Sequence, residues 1–219
     1  MLSVDQRYRV LYKPTVFLAC LAPAALLLAG ALGIAGRDLG PDPVAKLLHS
    51  CGKTALNLLL LTLLVTPVRR LTGWTQVLRL RRMLGLFAFA YALLHFAVYL
   101  WLDRQFDWPA VLKDVTRRPY ITIGFAALLM LVPLAVTSTN RMMRRLGRRW
   151  QQLHRLVYVI AVLGVWHYWW QVKRDVRLPA LYALMLAVLL GFRLAAGIRA
   201  RMRRRLTSTS APATAPGRT

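Results

Sequence analysis

The sequence predicts an all-α integral membrane protein: a bundle of six transmembrane helices with both termini in the cytoplasm. Three observations carry that expectation. The 219 residues are 58% hydrophobic and their mean hydropathy is +0.46, too apolar for a soluble domain of this size. Six stretches, 15–35, 44–66, 83–102, 120–137, 150–170 and 179–198, are each long enough at ~1.5 Å per residue to cross a bilayer core of ~30 Å. The arginines and lysines gather at alternate ends of those stretches, which is the positive-inside pattern.

Taken in order, a cytoplasmic segment, 1–14, carries Arg7, Arg9 and Lys13 ahead of the first span. That span has about 20 apolar residues, more than the roughly 7 to 15 of a signal peptide's apolar core, so it reads as a retained helix. Gly36, Gly40, Pro41 and Pro43 mark the first loop, and Pro67 follows the second span. Arg69, Arg70, Arg79, Arg81 and Arg82 fill the second loop, and Pro109 and Pro119 punctuate the third. Arg141, Arg144, Arg145, Arg148 and Arg149 fill the fourth, and Pro179 opens the sixth span. Residues 15–198 thus form one transmembrane domain, with short loops that imply antiparallel neighbours. Beyond it, 199–219 reads as a tail, first basic (Arg199, Arg201, Arg203, Arg204, Arg205), then rich in Ser, Thr, Ala and Pro and disordered.

The net charge of +24 does not point to nucleic acid, because topology and anionic lipid account for basic loops beside a membrane. Six of the seven acids, Asp38, Asp42, Asp103, Asp107, Asp114 and Asp175, lie in the intervening loops, and glutamate is absent. No acid stands inside a span, a poor endowment for a proton-coupled carrier. Cys20 and Cys51 are too few for a disulfide framework or a Cys-rich metal site and read as small buried hydrophobes. No G-x-G-x-x-G or Walker A motif occurs and no soluble stretch would hold a nucleotide-binding domain. If this chain moves electrons, its donor is a membrane quinol or a separate reductase.

Three of the four histidines, His95, His154 and His167, fall inside apolar spans. An imidazole in hydrocarbon costs free energy unless a proton, a partner or a metal satisfies it, and neutral imidazole is a common axial ligand of b-type haem. Topology gives each one a depth. His95 sits about 10 Å inside the outer end of the third span, and His167 reaches the same level on the fifth. His154 lies about 20 Å of helical rise from His167, near the inner face, too far to share one iron. The expected arrangement is a haem in the outer half of the bundle, ligated from facing helices by His95 and His167. His154 serves a different site, and Arg82, not histidine, stands at the corresponding inner position of the third span. A second haem with an unusual ligand, a flavin, a quinone headgroup and a hydrogen-bonded interfacial ring all stay open for it.

His49, Lys53 and Asn57 recur at helical spacing along the second span and form a polar stripe. The stripe suits either contacts to haem propionates or a quinone, or snorkelling and interhelical hydrogen bonds. Arg193, in the sixth span, reads as a snorkelling cation near the inner face, with a propionate or quinone contact as the alternative. Trp166, Tyr168, Trp169 and Trp170 around His167 form an aromatic belt.

Three runs carry a family resemblance: RRMLGLFAFAYALLHF with His95, RPYITIGFAALLMLVPLAVTS from Arg118, and WQQLHRLVYVIAVLGVWHYWW with His154 and His167. With HSCGKTALNLLLLTLLVTP on the second span, they make the chain similar to the MsrQ (YedZ) family, haem-binding membrane subunits of periplasmic methionine sulfoxide reductase systems. That family belongs to the ferric-reductase-like transmembrane superfamily. The resemblance implies a six-helix haem bundle in the bacterial inner membrane, with haem b and FMN as cofactors. Electrons would pass from the quinone pool or a cytosolic flavin reductase to a periplasmic molybdopterin subunit, MsrP. The chain would then be an electron-transfer subunit, with catalysis on its partner, and His95, His154 and His167 are the positions to which haem roles carry over. The alternatives are a cytochrome b subunit of another respiratory oxidoreductase, and a membrane transporter or scaffold without haem.

Overall fold

The computed structural model describes residues 4–172 and 175–209. Residues 1–3 of the expected cytoplasmic segment and 210–219 of the expected tail lie outside the described residues, as do the side chains of Arg201, Arg203, Arg204 and Arg205. The described chain is helical throughout, joined by short turns. Among the described residues five helices are long and apolar enough to cross a membrane: α1 (Tyr8–Ala31), α2 (Pro43–Thr72), α3 (Val77–Asp103, its last turn Tyr99–Asp103 widened to a π-turn), α5 (Pro119–Val136) and α9 (Arg177–Thr209, apolar through Ala200). Between them lie α4 (Trp108–Arg117), α6 (Asn140–Leu146), α7 (Arg148–Leu153) and α8 (Leu156–Gln171).

The expected fifth span, 150–170, is where structure and expectation part. The chain turns at His154 and Arg155 and splits this stretch into α7 and α8. The 16 residues of α8 cover only ~24 Å at helical rise. Hydropathy does not see the break, since neither proline nor glycine marks it. Two helices also outrun their apolar stretches. In α2 the chain passes through Pro67, which is buried inside the helix and does not end it, and stops at Gly73 in the left-handed conformation (φ 72°). In α9 the helix runs into the arginine-rich segment as far as Thr209, because arginine is a good helix former and polarity alone ends no helix.

The termini of the site-bearing helices are encoded locally. Asp42 caps α2 by accepting from the Ala45 N–H at 2.9 Å, with Pro43 at the first helical position. Asp107 caps α4 in the same way through Ala110 N–H at 3.1 Å, followed by Pro109. Arg118 is extended (φ −111°, ψ 97°), as the residue before a proline prefers, so α4 turns sharply into α5 at Pro119.

Half of the apolar window of α2 is buried, against 11% in α1 and α9, so α2 is the axis of the bundle. Leu56, Leu59 and Leu63 on α2 meet Ala88 of α3, Leu131 of α5, and Ile160 and Ala161 of α8 in one core. Tyr91 of α3 fastens α1 to this core. Its hydroxyl accepts from Ala24 N–H at 2.9 Å and donates to the Cys20 carbonyl at 2.8 Å. Those two backbone groups are an i, i+4 pair beside Pro23, where the helix ladder is interrupted. Cys20 and Cys51 are both free and buried, as expected.

Candidate functional site

A cavity of about 370 Å³ opens among α2, α3, α5 and α8 at one end of the bundle. Its walls are apolar, including Leu56, Leu59, Ala88, Leu131 and Ile160. His95 and His167 face each other across it, with ring centroids 6.1 Å apart and ring planes at 81°. The structure therefore brings together the two histidines that the sequence places at one depth.

Each ring is fixed by the same device. His95 Nδ1–H donates to the Leu48 carbonyl at 2.9 Å, and His167 Nδ1–H donates to the Tyr120 carbonyl at 2.7 Å. A carbonyl only accepts, so the proton sits on Nδ1 and the Nε2 lone pair of each ring is left for a ligand. In both cases the carbonyl precedes its histidine by 47 residues and stands one helical turn before a glycine. A Cβ on Gly52 would lie 3.1 Å from His95 Nδ1, and one on Gly124 would lie 2.7 Å from His167 Nδ1. The α2–α3 and α5–α8 pairs are thus two copies of one half-site. Neither glycine stands out alone, but the equal spacing from Gly52 to His95 and from Gly124 to His167 is a signal the sequence contains.

Two imidazoles offer two ligands, and among the described residues no group of three or more His, Cys, Asp or Glu side chains could hold a metal ion. A macrocycle that brings its own equatorial ligands matches this donor set. The 6.1 Å between the two ring centroids leaves both imidazoles within reach of one such group in the cavity. The residues present fit a haem.

The cavity mouth is polar and mostly basic. Lys53, Arg104 and Arg118 line it together with His49, Tyr99 and Asp103. The widened turn of α3, closed by Arg104 N–H on the Tyr99 carbonyl at 2.9 Å, carries Tyr99, Asp103 and Arg104 to the mouth; such turns recur at functional sites. Behind the rim, buried Asp114 of α4 takes Arg104 Nη2 at 2.7 Å, Arg118 Nε at 3.0 Å and the Tyr99 hydroxyl at 3.0 Å. The Tyr120 hydroxyl and the Asp114 carboxylate hold the Arg118 guanidinium above its ordinary pKa. Arg104, Arg118 and Asp114 are not distinguishable in sequence from other loop charges, because their pairing depends on the α4–α5 corner.

The remaining sequence candidates divide by place. His49 and Lys53 belong to the cavity wall; Gln171 Nε2 lies 3.4 Å from His49 Nδ1, and the Lys53 ammonium stands 6.0 Å from the Tyr168 ring centroid. Asn57 accepts from the Tyr182 hydroxyl at 2.6 Å. Arg193 is not at this cavity: its guanidinium donates to the Leu189 carbonyl at 3.0 Å and to the Leu63 carbonyl, and it stands over the Tyr158 ring. His154 is also apart. It stacks on Trp150 at 3.9 Å, its Nδ1 lies 3.1 Å from the Trp150 carbonyl, and its Nε2 is buried. Arg82, at the position corresponding to His154 in the α2–α3 half, donates to Asn140 Oδ1. Trp166 and Trp170 pack edge to face on the outer side of α8, both exposed.

Residues 51–165 match the family described as ferric reductase like transmembrane component. Curated relatives are similar over nearly the whole chain. A protein of Xanthomonas axonopodis pv. citri is 52% identical over 205 residues, covering 92% of this chain and 94% of the relative. One from Xanthomonas oryzae pv. oryzae is 52% identical over 84% of this chain and 86% of its own length. One from Herminiimonas arsenicoxydans is 50% identical over 82% and 83% respectively. Each is named protein-methionine-sulfoxide reductase heme-binding subunit MsrQ. No solved structure matches the chain.

Proposed function

This chain belongs to the MsrQ family within the ferric-reductase-like transmembrane proteins, and from that premise we propose that it is the membrane cytochrome b subunit of a periplasmic methionine sulfoxide reductase system. It passes electrons from the quinone pool or a cytosolic flavin reductase to a molybdopterin-containing catalytic partner, MsrP, and so supports repair of oxidised envelope proteins. The chain sits in the bacterial inner membrane with six spans, α7 and α8 together supplying the one that is broken at His154, and with both termini cytoplasmic. FMN belongs to the reading through the family alone.

The observation that carries the haem assignment is the facing pair His95 and His167, 6.1 Å apart, each with Nδ1 engaged and Nε2 free. Held between them, a haem b iron would supply reversible one-electron chemistry with no open coordination position. The chain's own residues do the rest. The Leu48 and Tyr120 carbonyls fix ring orientation, and a backbone partner on the far nitrogen raises the basicity of the ligating one. Gly52 and Gly124 let the helix backbones approach the rings, and the leucine walls exclude water from the cavity.

The purified full-length protein is expected to show a redox-sensitive Soret band and to give a pyridine haemochrome spectrum of b type. The His95→Ala, His167→Ala double variant loses that centre. A wild-type preparation without pigment, or a double variant with the band intact, would sink the assignment.

A further inference from the structure

We infer that Asp114, which does not itself line the cavity, is a positioning residue: it holds Arg104 and Arg118 at the mouth to receive two carboxylates of the bound haem, and it secures the corner from which the His167-orienting carbonyl projects. The inference rests on the haem reading above and adds the seat and orientation of the group's charged edge.

Asp114 is 6% exposed, and it is the only buried charged residue among the described residues. A buried carboxylate is costly unless donors surround it, and here both oxygens are engaged. Oδ2 takes Tyr99 and Arg104, and Oδ1 takes Arg118. That leaves the carboxylate no role as a ligand contact. Its donors are another matter, because all three line the cavity. A guanidinium carries five N–H groups; Asp114 takes one from each arginine, Asp103 stands 3.4 Å from Arg104 Nε and the Tyr120 hydroxyl 3.4 Å from Arg118 Nη1, so each fork still keeps donors on its remaining terminal nitrogens for another anion. Lys53 adds a third cation to the same mouth, and Asp103 is the one carboxylate on its lining. An apolar cavity with paired imidazoles at its centre and excess positive charge at one edge matches an amphiphile with a flat apolar body and two carboxylates along one side.

The second part follows from connectivity. Arg118 precedes Pro119 at the start of α5, and Tyr120, whose carbonyl takes His167 Nδ1–H, is two residues further on. Arg118 also reaches the Tyr120 hydroxyl at 3.4 Å. The Asp114–Arg118 pair therefore fixes the first turn of α5, and through it the His167 ring.

The test uses the full-length protein in detergent, with Asp114→Asn, Asp114→Glu, Arg104→Gln and Arg118→Gln, reading haem per chain, the haem midpoint potential and the low-spin spectral signature. Removing a cation beside the haem disfavours the reduced form, so both arginine variants are expected to shift the potential downward. Asp114→Asn frees both arginines from the mouth, so it is expected to lower the haem content and to move the potential in the same direction as the arginine variants, with a changed low-spin signature from His167, and Asp114→Glu returns these toward wild type. Wild-type potentials in both arginine variants, or an Asp114→Asn protein with wild-type potential and spectrum, overturn the inference while leaving the haem assignment standing. Should Asp114→Asn fail to accumulate, the two arginine variants decide. A wild type without haem is a different result and removes the proposed function itself.

Discussion

The Tyr120 carbonyl takes the His167 Nδ1 proton at 2.7 Å across 47 residues of chain, and Leu48 and His95 repeat that relationship at 2.9 Å over the same interval. The repetition means that the centre is assembled by two equivalent helix pairs. Each pair contributes a ring, a carbonyl that orients it and a glycine that admits it.

The glycines give a ranked prediction. A methyl group at Gly124 would meet His167 Nδ1 at 2.7 Å and Cε1 at 2.9 Å, distances no real contact tolerates, whereas at Gly52 the corresponding distances to His95 are 3.1 and 3.2 Å. Overpacking of this kind typically costs about 1–3 kcal/mol. Gly124→Ala should therefore displace its ring and lose most of the haem, and Gly52→Ala should lose less. Haem-to-protein ratios of the two purified variants check the order, and equal, full occupancy in both would refute it.

Tyr91 predicts a stability effect separate from the site. Its hydroxyl bridges Ala24 N–H and the Cys20 carbonyl beside Pro23, so Tyr91→Phe leaves two backbone groups of α1 without that partner in the bundle interior. At a net ~1 kcal/mol per hydrogen bond, the variant should be destabilised by about 1–2 kcal/mol, with the haem spectrum preserved. Thermal unfolding in detergent, followed at the Soret band and by circular dichroism, reads both quantities. An unchanged midpoint would mean that α1 is held by packing alone.

His154 separates the two ends of the bundle. Its ring is stacked on Trp150, away from the cavity, so His154→Ala should leave the low-spin signature of the His95–His167 centre in place, while His167→Ala abolishes it. Parallel loss in the two single variants, measured at equal protein concentration, would place His154 in the same centre and contradict the geometry.

Depth arithmetic from helical rise pairs His95 with His167 and sets His154 apart, because His95 and His167 lie toward the same end of apolar stretches whose direction alternates with the arginine-rich loops. What was not legible depended on contacts between distant segments. Gly52 matters only because His95 packs on it. Asp114 reads as one loop acid among six until the Pro119 corner folds it behind Arg104 and Arg118. The helix ends at Thr72 and Thr209 were hidden for another reason: hydropathy marks where a chain leaves hydrocarbon, whereas a helix rich in arginine continues past that boundary.

The break at His154 makes topology the sharpest test of the fold. Among the described residues five helices meet the length and hydropathy expected of a span, and α8 is short of it with 16 residues, against a hydrocarbon core of ~30 Å. If α8 and α7 together cross, the number of spans is even and the two termini share a side. If they do not, the number is odd and the termini oppose each other. The positive-inside pattern puts the arginine-rich 69–82 and 141–149 loops on the cytoplasmic side, and with the six spans proposed above both termini lie there too. Green fluorescent protein fused at either terminus should fluoresce, and alkaline phosphatase inserted after Asp107 should be active. A dark C-terminal fusion beside a fluorescent N-terminal one would show that α8 does not cross, and would put Arg193 and the arginine-rich end of α9 on the opposite face from Arg7 and Arg9.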